Sequence, residues 1–121
     1  MVINLSKLSS HVGNVSAADK LELLIRLSNS LQQRHDEIIK AATEFELSLL
    51  NALAHKLKTH ALYYGAIELH HICAEAEQFT LQAQPGTFEL QRWVKRFSAQ
   101  SIAVQQALID VIQHWDHQDA R

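Results

Sequence analysis

Three polar residues near the middle of the chain, His55, Lys58 and Thr59, have the types and the spacing to do chemistry. At the angular step of a helix they share one face with Leu62, the lysine one turn beyond the histidine and the threonine beside it. Leu50, Leu53, Leu57, Ala61 and Tyr64, at steps of three and four, form a separate apolar stripe that must face a core. His55 is off that stripe, so its ring is expected in solvent. Imidazole has a reference pKa of about 6.5, so near neutrality most of it is an uncharged nucleophile that needs no separate base. An ammonium one turn away offsets phosphate charge by an amount of order 1 kcal/mol at an exposed site. Together these groups suit the holding of a phosphoryl group. Each also has a plain structural explanation. The chain has eight histidines, and a histidine taken alone is more often a packing or surface residue. Lys58 fits a solvated helix face, and Thr59 favours helix over glycine by a few tenths of a kcal/mol. His60 reads as helix surface and Cys73 as core.

The run from His55 to Ala66, His-Lys-Leu-Lys-Thr-His-Ala-Leu-Tyr-Tyr-Gly-Ala, resembles the signature of histidine-containing phosphotransfer (HPt) domains, His-x-Leu-Lys-Gly followed after a short gap by Gly-Ala. His55, Leu57, Lys58, Gly65 and Ala66 match it. Downstream, Cys73 sits where the family often has a buried cysteine, and Glu77 where it has a glutamate or glutamine near the histidine. Upstream, Ile3-Asn4-Leu5-Ser6-Lys7-Leu8 and Val12-Gly13 look like the family's N-terminal lead-in. The resemblance is loose over residues 1–45 and more specific over 54–77. One position departs from it: the family's glycine after the lysine is Thr59 here, which reduces the clearance for an incoming partner.

The resemblance implies that His55 accepts a phosphoryl group from a receiver aspartate and passes it to another receiver. Such transfer depends on positioning and on neutralising charge over the phosphoryl oxygens. No cofactor of the chain's own is implied, because the receiver domain of a response regulator or hybrid sensor kinase brings the Mg²⁺ and the aspartate. Lys58, Thr59 and Glu77 are then the phosphoryl-site neighbours, with Glu77 accepting a hydrogen bond from the second ring nitrogen. Level with His55 on a preceding antiparallel helix, Leu31, Arg34 and His35 are expected to border the site as a partner-docking patch, with Leu62 as a further contact.

Composition narrows the architecture. The chain has 121 residues, 47% of them hydrophobic, with three glycines and one proline. That suits one domain with a single core and leaves little room for the frequent tight turns of an all-β fold. The lone Cys73 has no internal disulfide partner, and no leader or run of about 18 apolar residues is present. A cytoplasmic protein is expected. A formal net charge of −2 gives no general attraction to nucleic acid or to a membrane surface.

These limits predict an all-α, antiparallel up-down-up-down four-helix bundle with a short N-terminal capping helix, complete as a monomer. Residues 1–15 are expected to form a lid, with Leu5 and Leu8 inward and a break at Gly13-Asn14. Ser16 to Asp19 reads as a capping start for a first long helix carrying Leu21, Leu24, Ser28, Leu31, His35, Ile38 and Ala42. Thr43 and Glu46 have capping-box spacing, so a second helix is expected from there to Tyr64, and a third from Ala66 to Leu81. Gln84-Pro85-Gly86 is the clearest loop, and Thr87 is expected to cap the last and longest helix, whose stripe runs from Leu90 through Trp93, Phe97, Ser101, Val104, Leu108 and Val111 to Trp115. Residues 116–121 are expected to fray.

Two rival functions fit some of the same residues. Glu68-x-x-His71 matches one element of a di-iron bundle, and His114 with His117 can hold one ion, but a second Glu-x-x-His is lacking. A relative of the HPt family that binds a receiver or kinase without accepting phosphate is the other rival, kept open by Thr59. An autonomous kinase is disfavoured because the sequence has no Gly-rich nucleotide loop.

Overall fold

The computed structural model describes residues 2–8, 13, 15–82 and 86–115. Val12, Asn14, Gln84, Pro85, His117 and the tail 116–121, all of which figured in the sequence expectations, lie outside the described residues. Four helices follow a short 3₁₀ turn at Leu5–Lys7: α1 (Ala17–Thr43), α2 (Leu47–Tyr63), α3 (Ile67–Leu81) and α4 (Thr87–Gln113). Each packs on its neighbour in sequence, and α1 packs on α4 to close the ring. The result is a four-helix bundle. No described helix is long and apolar enough to cross a membrane.

The start of α1 is the one its sequence predicts, with the Ser16 hydroxyl accepting the Asp19 amide at 3.1 Å. Its end is not. Thr43 begins no new helix; it finishes α1, donating its hydroxyl to the Ile39 carbonyl at 2.7 Å. The chain then turns at Phe45, whose φ of 57° lies in the left-handed region. Glu46 N–H bonds Ala41 O at 2.8 Å and Phe45 N–H bonds Ala42 O at 3.2 Å, the paired closure of a Schellman turn. Glu46 is the N-cap of α2 but makes no side-chain cap. The same turn recurs between α2 and α3, with Gly65 at φ 66° and Ala66 N–H bonding Ala61 O at 2.9 Å. There glycine is required twice over, because a Cβ at Gly65 would collide with the backbone of Asn4.

Asn4 is held at that spot by its own N–H, which donates to Tyr64 O at 2.9 Å. Ile3 and Leu8 are buried and Leu5 packs against the core, so the N-terminal turn covers the end of the bundle. Gly86, not Thr87, is the N-cap of α4, again with no side-chain cap. The last helix is no longer than the first, at 27 residues each.

Between α2 and α3 the buried residues include Ala54, Ala61, Cys73 and Ala76, small enough for the two backbones to lie close. Within α4, Trp93 stacks on Phe97 one turn later at 5.1 Å, and across to α3 it gives its indole N–H to Ile72 O at 2.9 Å. The polar interruptions of two apolar stripes meet. His35 on α1 stacks on Phe97 and places Nδ1 2.8 Å from the hydroxyl of buried Ser101 on α4.

Candidate functional site

His55 stands on the third turn of α2 with 63% of its side chain exposed. The apolar stripe of α2 is the cause: Leu50, Ala54, Leu57 and Ala61 are turned into the core, which leaves His55 outward. From α3, the Glu77 carboxylate reaches across to it, and Oε2 lies 3.0 Å from Nδ1. A carboxylate only accepts, so Nδ1 donates the hydrogen bond and Nε2 keeps its lone pair. That nitrogen is the nucleophilic one.

Glu77 also pairs with Lys58, Oε1 lying 2.7 Å from Nζ. Burial acts to raise the Glu77 carboxyl, but hydrogen bonds and charge from Lys58 and His55 outweigh it and hold its pKa below the ordinary carboxylate value. Glu77 is therefore a carboxylate at neutral pH, fixed between an imidazole and an ammonium. Glu77, expected from the resemblance only as the acceptor for the second ring nitrogen of His55, also pairs with Lys58 and is the centre of the cluster.

Thr59 is exposed, and its hydroxyl leans back to the His55 carbonyl of its own helix at 3.4 Å. The predicted docking patch is split. Leu31 is 1% exposed and belongs to the core stripe of α1, so it offers nothing to a partner. His35, one turn later on the same stripe, is turned toward α4 and Ser101 rather than toward His55. Burial lowers its pKa below the usual histidine value, with Asp36 opposing. Arg34 is half-buried and bonds Glu37 at 3.5 Å. It also lies near His60, whose pKa is lowered first by burial and then by that guanidinium. Leu62 is half-buried. The structure thus brings together His55, Lys58 and Glu77, with Thr59 beside them, and leaves Leu31 and His35 out.

Several neighbours went unnoticed in the sequence. Asn51, one turn before His55, donates to the Glu77 carbonyl at 3.2 Å and to the Thr80 hydroxyl at 2.8 Å. His70 on α3 has Nδ1 3.0 Å from Lys58 O, where it donates. The available signal was spacing, since Asn51 shares the His55 face of α2 and Thr80 follows Glu77 by three residues. Beneath the cluster, Cys73 is buried and its thiol is pushed up to about 12 by burial, with Glu77 adding and Lys58 opposing. It is an inert packing group.

Among the described residues no three His, Cys, Asp or Glu side chains are grouped to hold a metal ion. Glu68 and His71 lie on the exposed side of α3, whereas a di-iron ligand pair would have to project inward. No family model, curated protein or solved structure matches this chain.

Proposed function

We propose that this protein is a histidine phosphotransfer domain of a two-component phosphorelay, with His55 as the phosphoryl acceptor. The observation that carries the reading is the exposed His55 ring whose Nδ1 is bonded to a carboxylate, which leaves the lone pair on Nε2. In the transfer, the Nε2 lone pair forms a bond to phosphorus as the bond from phosphorus to the donor's aspartyl oxygen breaks, and the aspartate leaves as a carboxylate. The ring gains positive charge as this happens. Glu77, already bonded to Nδ1–H, stabilises that charge without reorganising, as preorganised charge does in active sites generally. Lys58, paired with Glu77 and one turn beyond His55, adds positive charge near the site against that of the phosphoryl oxygens. The receiver domain would bring the aspartyl phosphate and its Mg²⁺, and this chain the nucleophile on a rigid helix.

The test is direct. Receiver domains charged with acetyl phosphate and Mg²⁺ are mixed with the protein, and phosphate on it is located by mass spectrometry. An acid-labile, base-stable phosphate on His55, absent from His55→Gln, is expected. Receiver binding with no such product would show a docking module instead.

A further inference from the structure

We infer that Asn51 is the positioning residue of this site: its amide clamps the main chain of Glu77, and Glu77 so held fixes the ring of His55. For its effect on rate the inference rests on the phosphoryl-acceptor reading; for its effect on the ring it does not.

Glu77 needs an anchor because of where it lies. It is in the last part of α3, which ends at Leu81 with Gln82 beyond it, and helix ends fray where their last carbonyls lack partners. Leu81 is 75% exposed, so its own side chain adds little packing to that last turn. The Asn51 amide holds it from the inside. Asparagine is a poor residue for a helix interior, and its half-buried place in α2 needs a compensating role. Four residues before His55, it projects from the same face.

The hydrogen-bond account is closed. Thr80 donates its hydroxyl hydrogen to Ala76 O at 2.7 Å, with Glu77 O at 3.2 Å sharing it, so its oxygen is left to accept. The two hydrogens of Asn51 Nδ2 then go to Thr80 Oγ1 and to Glu77 O, both acceptors. This assigns the amide orientation, and it ties α2 to α3 beside the acid. Glu77 is consequently held at both ends, its carbonyl by Asn51 and its carboxylate by His55 at 3.0 Å and Lys58 at 2.7 Å. Releasing the carbonyl lets the carboxylate drift from Nδ1, and the ring then loses its preference for carrying the proton there.

The experiment reads the ring itself. Long-range ¹H–¹⁵N NMR of the neutral imidazole measures the ratio of Nδ1–H to Nε2–H tautomers at His55. Asn51→Leu, of similar size and uncharged, is expected to lower that ratio about threefold, the scale of coupling between side chains in one network. Thr80→Val is expected to lower it in the same direction, and Thr80→Ser, which keeps the hydroxyl, to restore it. Thr80→Val alters nothing on α2, so it carries the test should Asn51→Leu fail to fold. Phosphoryl uptake by His55 should slow in step with the ratio. A folded Asn51→Leu or Thr80→Val with an unchanged ratio overturns the role of Asn51. Absence of uptake by the wild type overturns the acceptor reading instead, and the tautomer ratios still decide whether Asn51 positions Glu77.

Discussion

Replacing Glu77 by alanine isolates what the carboxylate does. The change removes two contacts, 3.0 Å to His55 Nδ1 and 2.7 Å to Lys58 Nζ. A hydrogen bond with a charged partner is worth about 1.5–3 kcal/mol when covered. With 63% of the His55 side chain in solvent, water competes for it, and about 1 kcal/mol is the appropriate scale. That is about a fivefold change in the ratio of the two tautomers. Glu77→Ala should therefore move His55 toward the Nε2–H form about fivefold by ¹⁵N NMR, and its initial rate of phosphoryl uptake should fall at least as far. The rate also loses the charge that stabilises the developing imidazolium. Glu77→Gln separates the two effects, for its amide oxygen accepts the same Nδ1–H bond and the tautomer ratio should stay near wild type while the rate falls. Should Glu77→Ala leave both ratio and rate as they were, the contact with His55 has no chemical consequence and the account of the site is wrong.

Acid sensitivity is expected from the two half-buried histidines. Burial lowers the pKa of His35 and His60, so below the reference value of about 6.5 the unfolded chain binds more protons and stability falls as pH drops from there through the folded values. For His35 the geometry agrees, since the ring stacks on Phe97 and is half-buried, where a charged imidazolium is poorly solvated. Urea unfolding between about pH 7 and 5 should show the loss, and His35→Gln should flatten it; an equally steep profile in that variant would exclude His35 as a source. Glu77 acts lower on the scale. Its depressed pKa gives stability that is present above its ordinary value of 4.5 and is lost as pH falls through the folded value. Tyr64 is fully buried and its hydroxyl has no hydrogen-bond partner among the described residues, so Tyr64→Phe should stabilise the protein by about 1 kcal/mol, a rise of about 4 °C in Tm by calorimetry. A fall in Tm would mean that the hydroxyl is satisfied.

Much of the bundle was legible because stripes such as Leu50, Leu53, Leu57 and Ala61 record helix faces directly, and the burial of those residues follows the stripe. The turns were less so. The Gly65 turn carries its residue type openly, but the same geometry at Phe45 uses a side chain that gives no hint of a positive φ, and the Thr43–Glu46 spacing suggested a cap in its place. At the site, exposure of His55 followed from periodicity, and the place of Glu77 from family resemblance. What neither conveys is the rotation and register of one helix against the next. Counting back from a turn put Leu31 and His35 level with His55 but could not say which way they face, although their places on the α1 stripe already pointed inward. The ion pair of Lys58 with Glu77 and the Asn51 clamp depend on the same register, so they emerge from coordinates rather than from spacing.

The regiochemistry of phosphorylation tests the central claim most directly. After phosphoryl transfer from a charged receiver, ³¹P and ¹⁵N NMR of the labelled protein identify both the residue and the ring nitrogen that carry phosphorus. Phosphorus on Nε2 of His55, with Nδ1 still protonated toward Glu77, is the expected result. Phosphorus on Nδ1, on another of the histidines, or on none would contradict the account.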